Sequence, residues 1–96
     1  MAVSRSVVWS QRSMDEVEGI KTFIRKRWSD REVTVFLDLL QGFEELVKQF
    51  PNGYQRSEIF PNCRRAVIHP NVSVVYRLRA DVIEVVSVYD NRARIT

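Results

Sequence analysis

Cysteine and histidine are nearly absent from this chain of 96 residues, which contains one of each, Cys63 and His69. A single cysteine excludes an internal disulfide, and one cysteine with one histidine does not form the paired spacing of a zinc site. We therefore expect no metal and no cofactor. The scarcity of cysteine also favours a cytoplasmic location.

Glycine and long apolar runs are scarce as well. The three glycines, Gly19, Gly42 and Gly53, are too far apart to form a glycine-rich phosphate loop. No apolar run approaches the ~18 residues of a membrane helix, and the N-terminal segment lacks the apolar stretch of a signal peptide. We expect no membrane association. With no linker or repeat, the length predicts a single domain over residues 1–96.

Basic charge is distributed unevenly along the chain. Residues 1–50 contain eight basic and eight acidic side chains, whereas residues 51–96 contain seven basic and four acidic ones, so the net charge of +3 lies in the second half. These seven basic residues are all arginines, whose planar guanidinium suits phosphates and carboxylates. They are Arg56, Arg64, Arg65, Arg77, Arg79, Arg92 and Arg94. They form an anion-binding surface, or they are simply cations that strands tolerate.

Two helices are predicted in the first half, after a short strand over residues 4–10. Ser13 and Glu16 have the spacing of a capping box and predict the start of the first helix. Ser29 and Glu32 form a second capping box, which predicts a strongly amphipathic helix of about five turns. Because the second helix begins where the first ends, we expect an antiparallel hairpin.

The second half of the chain changes to the period of β-strands. Strands are predicted over residues 64–69, 72–79 and 82–89, joined by short turns into an antiparallel meander. Val85-Val86 interrupts the alternation of the last strand and indicates a bulge or burial on both faces. The predicted fold class is α+β: an N-terminal strand and an antiparallel helical hairpin, packed on a small twisted antiparallel sheet with a C-terminal three-strand meander.

Alternation along the strand over residues 72–79 assigns its side chains to two faces. The predicted core face, toward the helices, carries Val74, Tyr76 and Leu78. The predicted open face carries Ser73, Val75, Arg77 and Arg79. We therefore expect the working surface of the protein to lie on the open face of this arginine-rich sheet.

Few side chains are suited to proton transfer. His69, at the end of a strand, is a general base near neutral pH or a solvated turn residue. Tyr89 donates a proton or stacks on a base, or it packs at the edge of the core. Arg92 is suited to binding an anion, and Asp90 is suited to pairing with it or with a neighbouring arginine.

Seven short segments occur in an order that is typical of one protein family. They are Val8-Trp9-Ser10, Trp28-Ser29, Phe50-Pro51, Arg64-Arg65, Val75-Tyr76-Arg77, Ile83-Glu84-Val85 and Val88-Tyr89-Asp90-Asn91-Arg92. This ordered set resembles the RelE/ParE superfamily of toxins from bacterial type II toxin–antitoxin systems, which includes ParE-like toxins of the plasmid stabilisation type. The last segment looks like the closing motif of the family. The proline that usually follows it is missing, since Ala93-Arg94-Ile95 stands there.

The resemblance implies a growth-inhibiting toxin that a cognate antitoxin binds and silences in a hetero-oligomer. Its ParE-like branch poisons DNA gyrase by binding and has no known catalytic residues. The few proton-transfer groups and the Tyr-Asp-x-Arg ending favour this branch. The residues that then bind the target or the antitoxin are Arg65, Arg77, Arg79, Tyr89, Asp90 and Arg92.

The RelE-like branch implies an endoribonuclease, an mRNA interferase that cleaves messages on the ribosome without a metal. Such cleavage must activate the ribose 2′-OH, stabilise the phosphate and protonate the leaving oxygen. The candidate catalytic residues for this alternative are Arg64, Arg65, His69, Arg77, Tyr89 and Arg92. A third alternative is a degenerate toxin or a binding module with the same fold.

Overall fold

The structure, a computed structural model, describes residues 5–91. Its elements are β1 (Ser6–Trp9), α1 (Gln11–Arg27), α2 (Asp30–Gln49), β2 (Gln55–Arg56), β3 (Arg64–His69), β4 (Val72–Arg79) and β5 (Val82–Asp90). The strands form one sheet in the order β1-β5-β4-β3-β2, with both helices packed against it. The predicted α+β class, helical hairpin and three-strand meander are confirmed. Arg92 and Arg94 lie outside the described residues.

The sheet is mixed rather than wholly antiparallel. β1 pairs in parallel with the first half of β5, from Ser6 opposite Val82 to Trp9 opposite Val85. The other three pairings are antiparallel. A parallel pair requires a long connection between its strands, and here the helical hairpin and the next three strands provide it.

The first helix begins earlier than the capping box at Ser13 predicts. Its N-cap is Ser10, whose Oγ accepts a hydrogen bond from the Ser13 backbone N–H at 3.1 Å. Ser10 directly follows β1, and its own N–H donates to the Val85 carbonyl of the sheet. Ser13 is therefore buried in the first turn, and Glu16 is directed to β5 rather than to the helix terminus.

The second helix begins as predicted. Its N-cap is Ser29, whose Oγ accepts from the Arg31 N–H and contacts the Glu32 carboxylate. The helix places an apolar stripe against the sheet, and these buried residues are Val33, Phe36, Leu40, Phe43 and Val47. No helix in the described part of the chain is long and apolar enough to cross a membrane.

Tyr76 lies at the centre of the core between the helices and the sheet. Its ring is fully buried and packs edge-on against Phe43 and Tyr54, at centroid distances of 5.7 and 6.0 Å. Its hydroxyl donates a 2.5 Å hydrogen bond to the Pro51 carbonyl. Burial raises the pKa of Tyr76 to about 12, because the charged phenolate is disfavoured away from water.

The predicted faces of β4 are only partly correct. Val74 and Tyr76 are buried beneath the helices as expected, but Leu78 is 39% exposed because it lies beyond their cover. Ser73 and Val75, predicted on an open face, are fully buried. The face opposite the helices is therefore covered at this end of β4.

The irregularity predicted in the last strand is confirmed. Val75 pairs with Ser87 and Tyr76 pairs with Val85, which leaves Val86 as the extra residue of a bulge in β5. β1 pairs with β5 only as far as Val85, so after the bulge β5 keeps β4 as its neighbour on one edge and faces α1 on the other. The bulge thus turns the end of β5 into part of a helix–strand groove.

Candidate functional site: the sheet face opposite the helices

A loop over residues 57–63 reaches the end of β5 on the sheet face opposite the helices. The Ser57 hydroxyl fixes the loop by accepting hydrogen bonds from the backbone N–H groups of Ile59 and Phe60, at 3.1 and 2.9 Å. The Phe60 ring then stacks on Tyr89, with 6.5 Å between centroids and 17° between planes. The guanidinium carbon of Arg12 lies 5.3 Å from the centroid of the Phe60 ring.

Arg65 connects three strand residues beneath this loop. Its Nε donates to Ser73 Oγ at 2.8 Å, and its Nη2 donates to Asn91 Oδ1 at 3.2 Å. The Ser73 hydroxyl donates in turn to the same Asn91 oxygen at 2.6 Å. The guanidinium carbon lies 6.0 Å from the centroid of Tyr89. We call this set of four side chains, Arg65, Ser73, Tyr89 and Asn91, the Arg65 network.

Two members of the Arg65 network differ in how completely their polar groups are satisfied. Asn91 is held firmly, since its Nδ2 donates to the Pro70 carbonyl at 3.0 Å and its backbone N–H donates to the Asn71 carbonyl at 2.7 Å. The Tyr89 hydroxyl is buried and has no hydrogen-bond partner within residues 5–91. An unpartnered buried hydroxyl costs stability, so it is a candidate for a functional group.

An ion-pair cluster occupies the other end of the same face. Arg77 Nε contacts Glu84 Oε1 at 2.6 Å, and Arg79 Nη1 contacts the same oxygen at 3.8 Å. The hydrogen bond from Arg77 lowers the pKa of Glu84 below its usual range. Burial raises the pKa of the nearby Cys63 thiol, which disfavours a reactive thiolate.

Like Arg77, two further predicted catalytic residues lie apart from the Arg65 network. Arg64 projects to the opposite face from Arg65, and its Nη1 donates to the Tyr54 carbonyl at 2.6 Å. His69 is exposed, and its Nδ1 accepts from the Asn71 N–H at 3.0 Å. Of the candidate catalytic residues that the structure describes, only Arg65 and Tyr89 contact each other.

Glu16 joins α1 to the bulged end of β5. Its Oε1 accepts from the Val88 N–H and from the Ser87 hydroxyl, both at 2.9 Å. A groove of about 590 Å³ follows along this junction, and Asp90 lies at its end. Among residues 5–91, no group of three His, Cys, Asp or Glu side chains is arranged to hold a metal ion.

Sequence reasoning missed three residues of this site: Phe60, Ser73 and Asn91. Asn91 lies inside the aromatic-Asp-x-Arg segment, so its position was the only available signal. Ser73 was placed on the correct face but without a role. Phe60 gave no signal, because its stacking on Tyr89 joins residues that are far apart in the chain.

Several solved structures with a similar fold come from toxin–antitoxin systems. The chain aligns with a structure described as the chromosomal ParDE toxin–antitoxin system from P. aeruginosa, with a TM-score of 0.79, 13% identity, and coverage of 91% of this chain and 96% of the other. It also aligns with the E. coli DinJ–YafQ toxin–antitoxin complex, with a TM-score of 0.63, 14% identity, and coverage of 98% and 100%. At these identities the likeness shows the fold alone.

A third similar structure is the RelBE2 toxin–antitoxin complex from Mycobacterium tuberculosis, with a TM-score of 0.57, 12% identity, and coverage of 93% of this chain and 100% of the other. Among curated proteins, none matches this chain in sequence. The family model described as "ParE toxin of type II toxin-antitoxin system, parDE" matches residues 7–94, nearly the whole chain. The chain therefore belongs to the family of ParE toxins of type II toxin–antitoxin systems.

Proposed function

We propose that this ParE-family toxin inhibits growth by binding and poisoning DNA gyrase, and that it has no catalytic activity of its own. The observation that carries the proposal is that the Arg65 side chain is bonded within the protein. Arg65 donates to Ser73 and Asn91, and its guanidinium packs on Tyr89. Arg65 and Tyr89, which a nuclease would use to contact RNA, contact groups of the protein itself.

Metal-free RNA cleavage requires a base, an acid and a cation around one phosphate. Tyr89 has a buried hydroxyl beneath Phe60, and Arg77 is engaged by Glu84. His69 lines a different groove, at the end of the sheet beside the helices. Within the described residues these groups do not surround a common point, which supports binding rather than catalysis.

The direct test combines the purified toxin with purified gyrase. We expect inhibition of supercoiling and accumulation of cleaved DNA, and induced expression without the antitoxin should cause filamentation and growth arrest. Arg65→Ala should weaken inhibition, whereas Arg56→Ala is the matched control, since the Arg56 side chain is exposed and has no hydrogen bond or ion pair within residues 5–91. Normal supercoiling at a large molar excess of folded toxin would contradict the proposal.

Ribosome-dependent mRNA cleavage is the second candidate function. The specific observation in its favour is the contact of a cation, Arg65, with a potential proton donor, Tyr89. The test is the integrity of a message on purified translating ribosomes with and without the toxin. Cleavage that Tyr89→Phe abolishes would establish this candidate, and an intact message would remove it.

We further propose that a cognate antitoxin binds the toxin in a hetero-oligomer in the cytoplasm. The proposed contacts for the target or the antitoxin are Arg65, Arg77, Arg79, Tyr89, Asp90 and Arg92. Arg79 is more exposed than Arg77, with 64% of its side chain accessible against 40%. Co-expression with the gene of the antitoxin should restore growth and yield a complex by size-exclusion chromatography, whereas continued arrest would contradict this partner.

A further inference from the structure

Three cations without an ion pair to residues 5–91 lie close together where the two helices meet. We define the hairpin tip as residues 21–32. It contains five basic and two acidic side chains, a difference of +3 that equals the net charge of the whole chain. Lys21 pairs with Glu18 and Arg25 pairs with Asp30. The other tip cations have no ion pair with the described part of the chain, and they are Lys26, Arg27 and Arg31.

The arginines of β3 and β4 contrast with those of the hairpin tip. Arg64, Arg65, Arg77 and Arg79 all donate to or pair with groups of the protein. Although the net charge of +3 lies in the second half of the chain, these four arginines are already engaged within the protein. The first half sums to zero only because acidic residues in the bodies of the helices offset the hairpin tip.

Two exposed aromatic rings accompany these cations. Trp28 is 57% exposed and Phe23 is 44% exposed, and their rings pack edge to face at 6.2 Å. The Arg27 guanidinium lies 5.4 Å from the Phe23 centroid and 5.9 Å from the Trp28 centroid. Such rings beside unpaired cations form the stacking platform by which proteins bind unpaired bases, with the cations on the phosphates.

A groove of about 360 Å³ extends from this platform toward the sheet. Phe23, Trp28 and Val35 provide apolar walls, and His69 and Asn71 lie at the sheet end. Glu32 and Asp90 also line the groove, so the phosphates are expected on the cations outside it and only the base inside. The Asn71 side chain makes no hydrogen bond within residues 5–91, so its amide is suited to pairing with the edge of a base. His69, which has no role in the proposed binding of gyrase, lies beside the same groove.

We propose that the hairpin tip and this groove bind single-stranded nucleic acid, with a base against Trp28 and Phe23 and phosphates on Lys26, Arg27 and Arg31. An acidic protein segment would use the cations but would gain little from flat exposed rings, so the aromatic platform favours a nucleic acid. This inference does not depend on gyrase as the target.

The first measurement is the fluorescence anisotropy of a labelled oligo(dT) of about 20 nucleotides titrated with the full-length toxin at several salt concentrations. Three phosphate contacts on a single strand predict a slope of about −2 for log K against log[salt]. We expect an oligo(dT) duplexed with oligo(dA) to bind at least about tenfold more weakly, because its bases are not available for stacking. Oligo(U) in parallel distinguishes an RNA from a DNA ligand.

Matched variants locate the site. Arg31→Glu should weaken binding about tenfold, whereas Arg56→Glu, the same charge change at an exposed residue of β2, should have less than about a third of that effect. Trp28→Ala should weaken binding about tenfold and Trp28→Phe should restore most of it, because stacking needs a ring but not an indole. Circular dichroism confirms that each variant is folded.

Three outcomes would overturn the inference. They are no binding at low salt, equal losses for Arg31→Glu and Arg56→Glu, and tight binding of polyglutamate that Trp28→Ala leaves unchanged, which would indicate an acidic protein partner. Because these experiments contain no gyrase and no ribosome, failure here leaves the proposed toxin function standing. Failure of the supercoiling assay would likewise leave the binding of oligo(dT) intact.

Discussion

The Arg65 guanidinium is fixed over the ring of Tyr89 by hydrogen bonds to two other residues. Its carbon lies 6.0 Å from the ring centroid, while Nε and Nη2 donate to Ser73 and Asn91. Arg65 is thus a structural cross-link of β3, β4 and the end of β5, as well as a candidate contact for a target. Because of this dual role, we expect substitution of Arg65 to change both stability and toxicity, unlike substitution of a surface arginine whose side chain has no hydrogen bond.

Arg65→Ala should lower both stability and toxicity. The change removes two charge-assisted hydrogen bonds and leaves the fully buried Ser73 without its donor, so we expect a loss of about 1–3 kcal/mol in the free energy of unfolding. Urea denaturation provides the measurement. Arg56→Ala is the control, and we expect it to change stability by less than about 0.5 kcal/mol. Equal stabilities of the two variants would show that the Arg65 network contributes nothing.

Tyr89→Phe should have the opposite effect on stability. Its hydroxyl is buried without a partner in residues 5–91, while its ring stacks on Phe60. Removing the hydroxyl and keeping the ring should leave the free energy of unfolding unchanged or raise it by up to about 1 kcal/mol. Toxicity is measured in parallel by induced growth arrest. A loss of more than about 1 kcal/mol would indicate that the hydroxyl is hydrogen-bonded in solution.

Glu16→Ala should destabilise the junction of α1 with the bulge of β5. The change leaves the Val88 N–H and the buried Ser87 hydroxyl without their acceptor, and we expect a cost of about 2–3 kcal/mol. Glu18→Ala is the matched control on the same helix, because Glu18 only pairs with Lys21 at the surface. Thermal melts of both variants make the comparison, and similar melting temperatures would contradict this role of Glu16.

Local patterns predicted the regular elements well, but not the contacts between distant segments. β3 and β4 have their predicted bounds, because alternating side chains and short turns are local signals. The start of α1 was wrong because Ser10 and Ser13 both suit a cap, and the contact of Glu16 with β5 decides between them. No local pattern indicates that Phe60 covers Tyr89.

Glu84→Gln should remove part of the acid sensitivity of the protein. The hydrogen bond from Arg77 lowers the pKa of Glu84 below its ordinary value of 4.5. A lowered pKa in the folded state means that the stabilising contribution is present above pH 4.5 and is lost as the pH falls through the folded pKa. We therefore expect the wild type to be more stable than the variant near neutral pH, with a smaller difference at about pH 3.

The control for this prediction is Glu58→Gln, since Glu58 is exposed and has no ion pair among residues 5–91. Urea denaturation at several pH values gives the free energy of unfolding as a function of pH, and these curves should be nearly parallel for this control and the wild type. Parallel curves for Glu84→Gln as well would show that the contact of Arg77 with Glu84 does not stabilise the fold in solution.

Tyr76→Phe should reveal how the core depends on a neutral phenol. The Tyr76 hydroxyl donates to the Pro51 carbonyl, and its loss should cost about 1–2 kcal/mol at neutral pH. Burial raises the pKa of Tyr76 from 10.0 to about 12, so its contribution is fully present below pH 10 and is lost as the pH rises toward 12. The wild type should lose up to about 1 kcal/mol more than the variant between about pH 10 and pH 11. Urea denaturation across this range measures the free energy of unfolding of both proteins. If this free energy falls with pH equally for the wild type and the variant, Tyr76 ionises as readily in the folded chain as in the unfolded one.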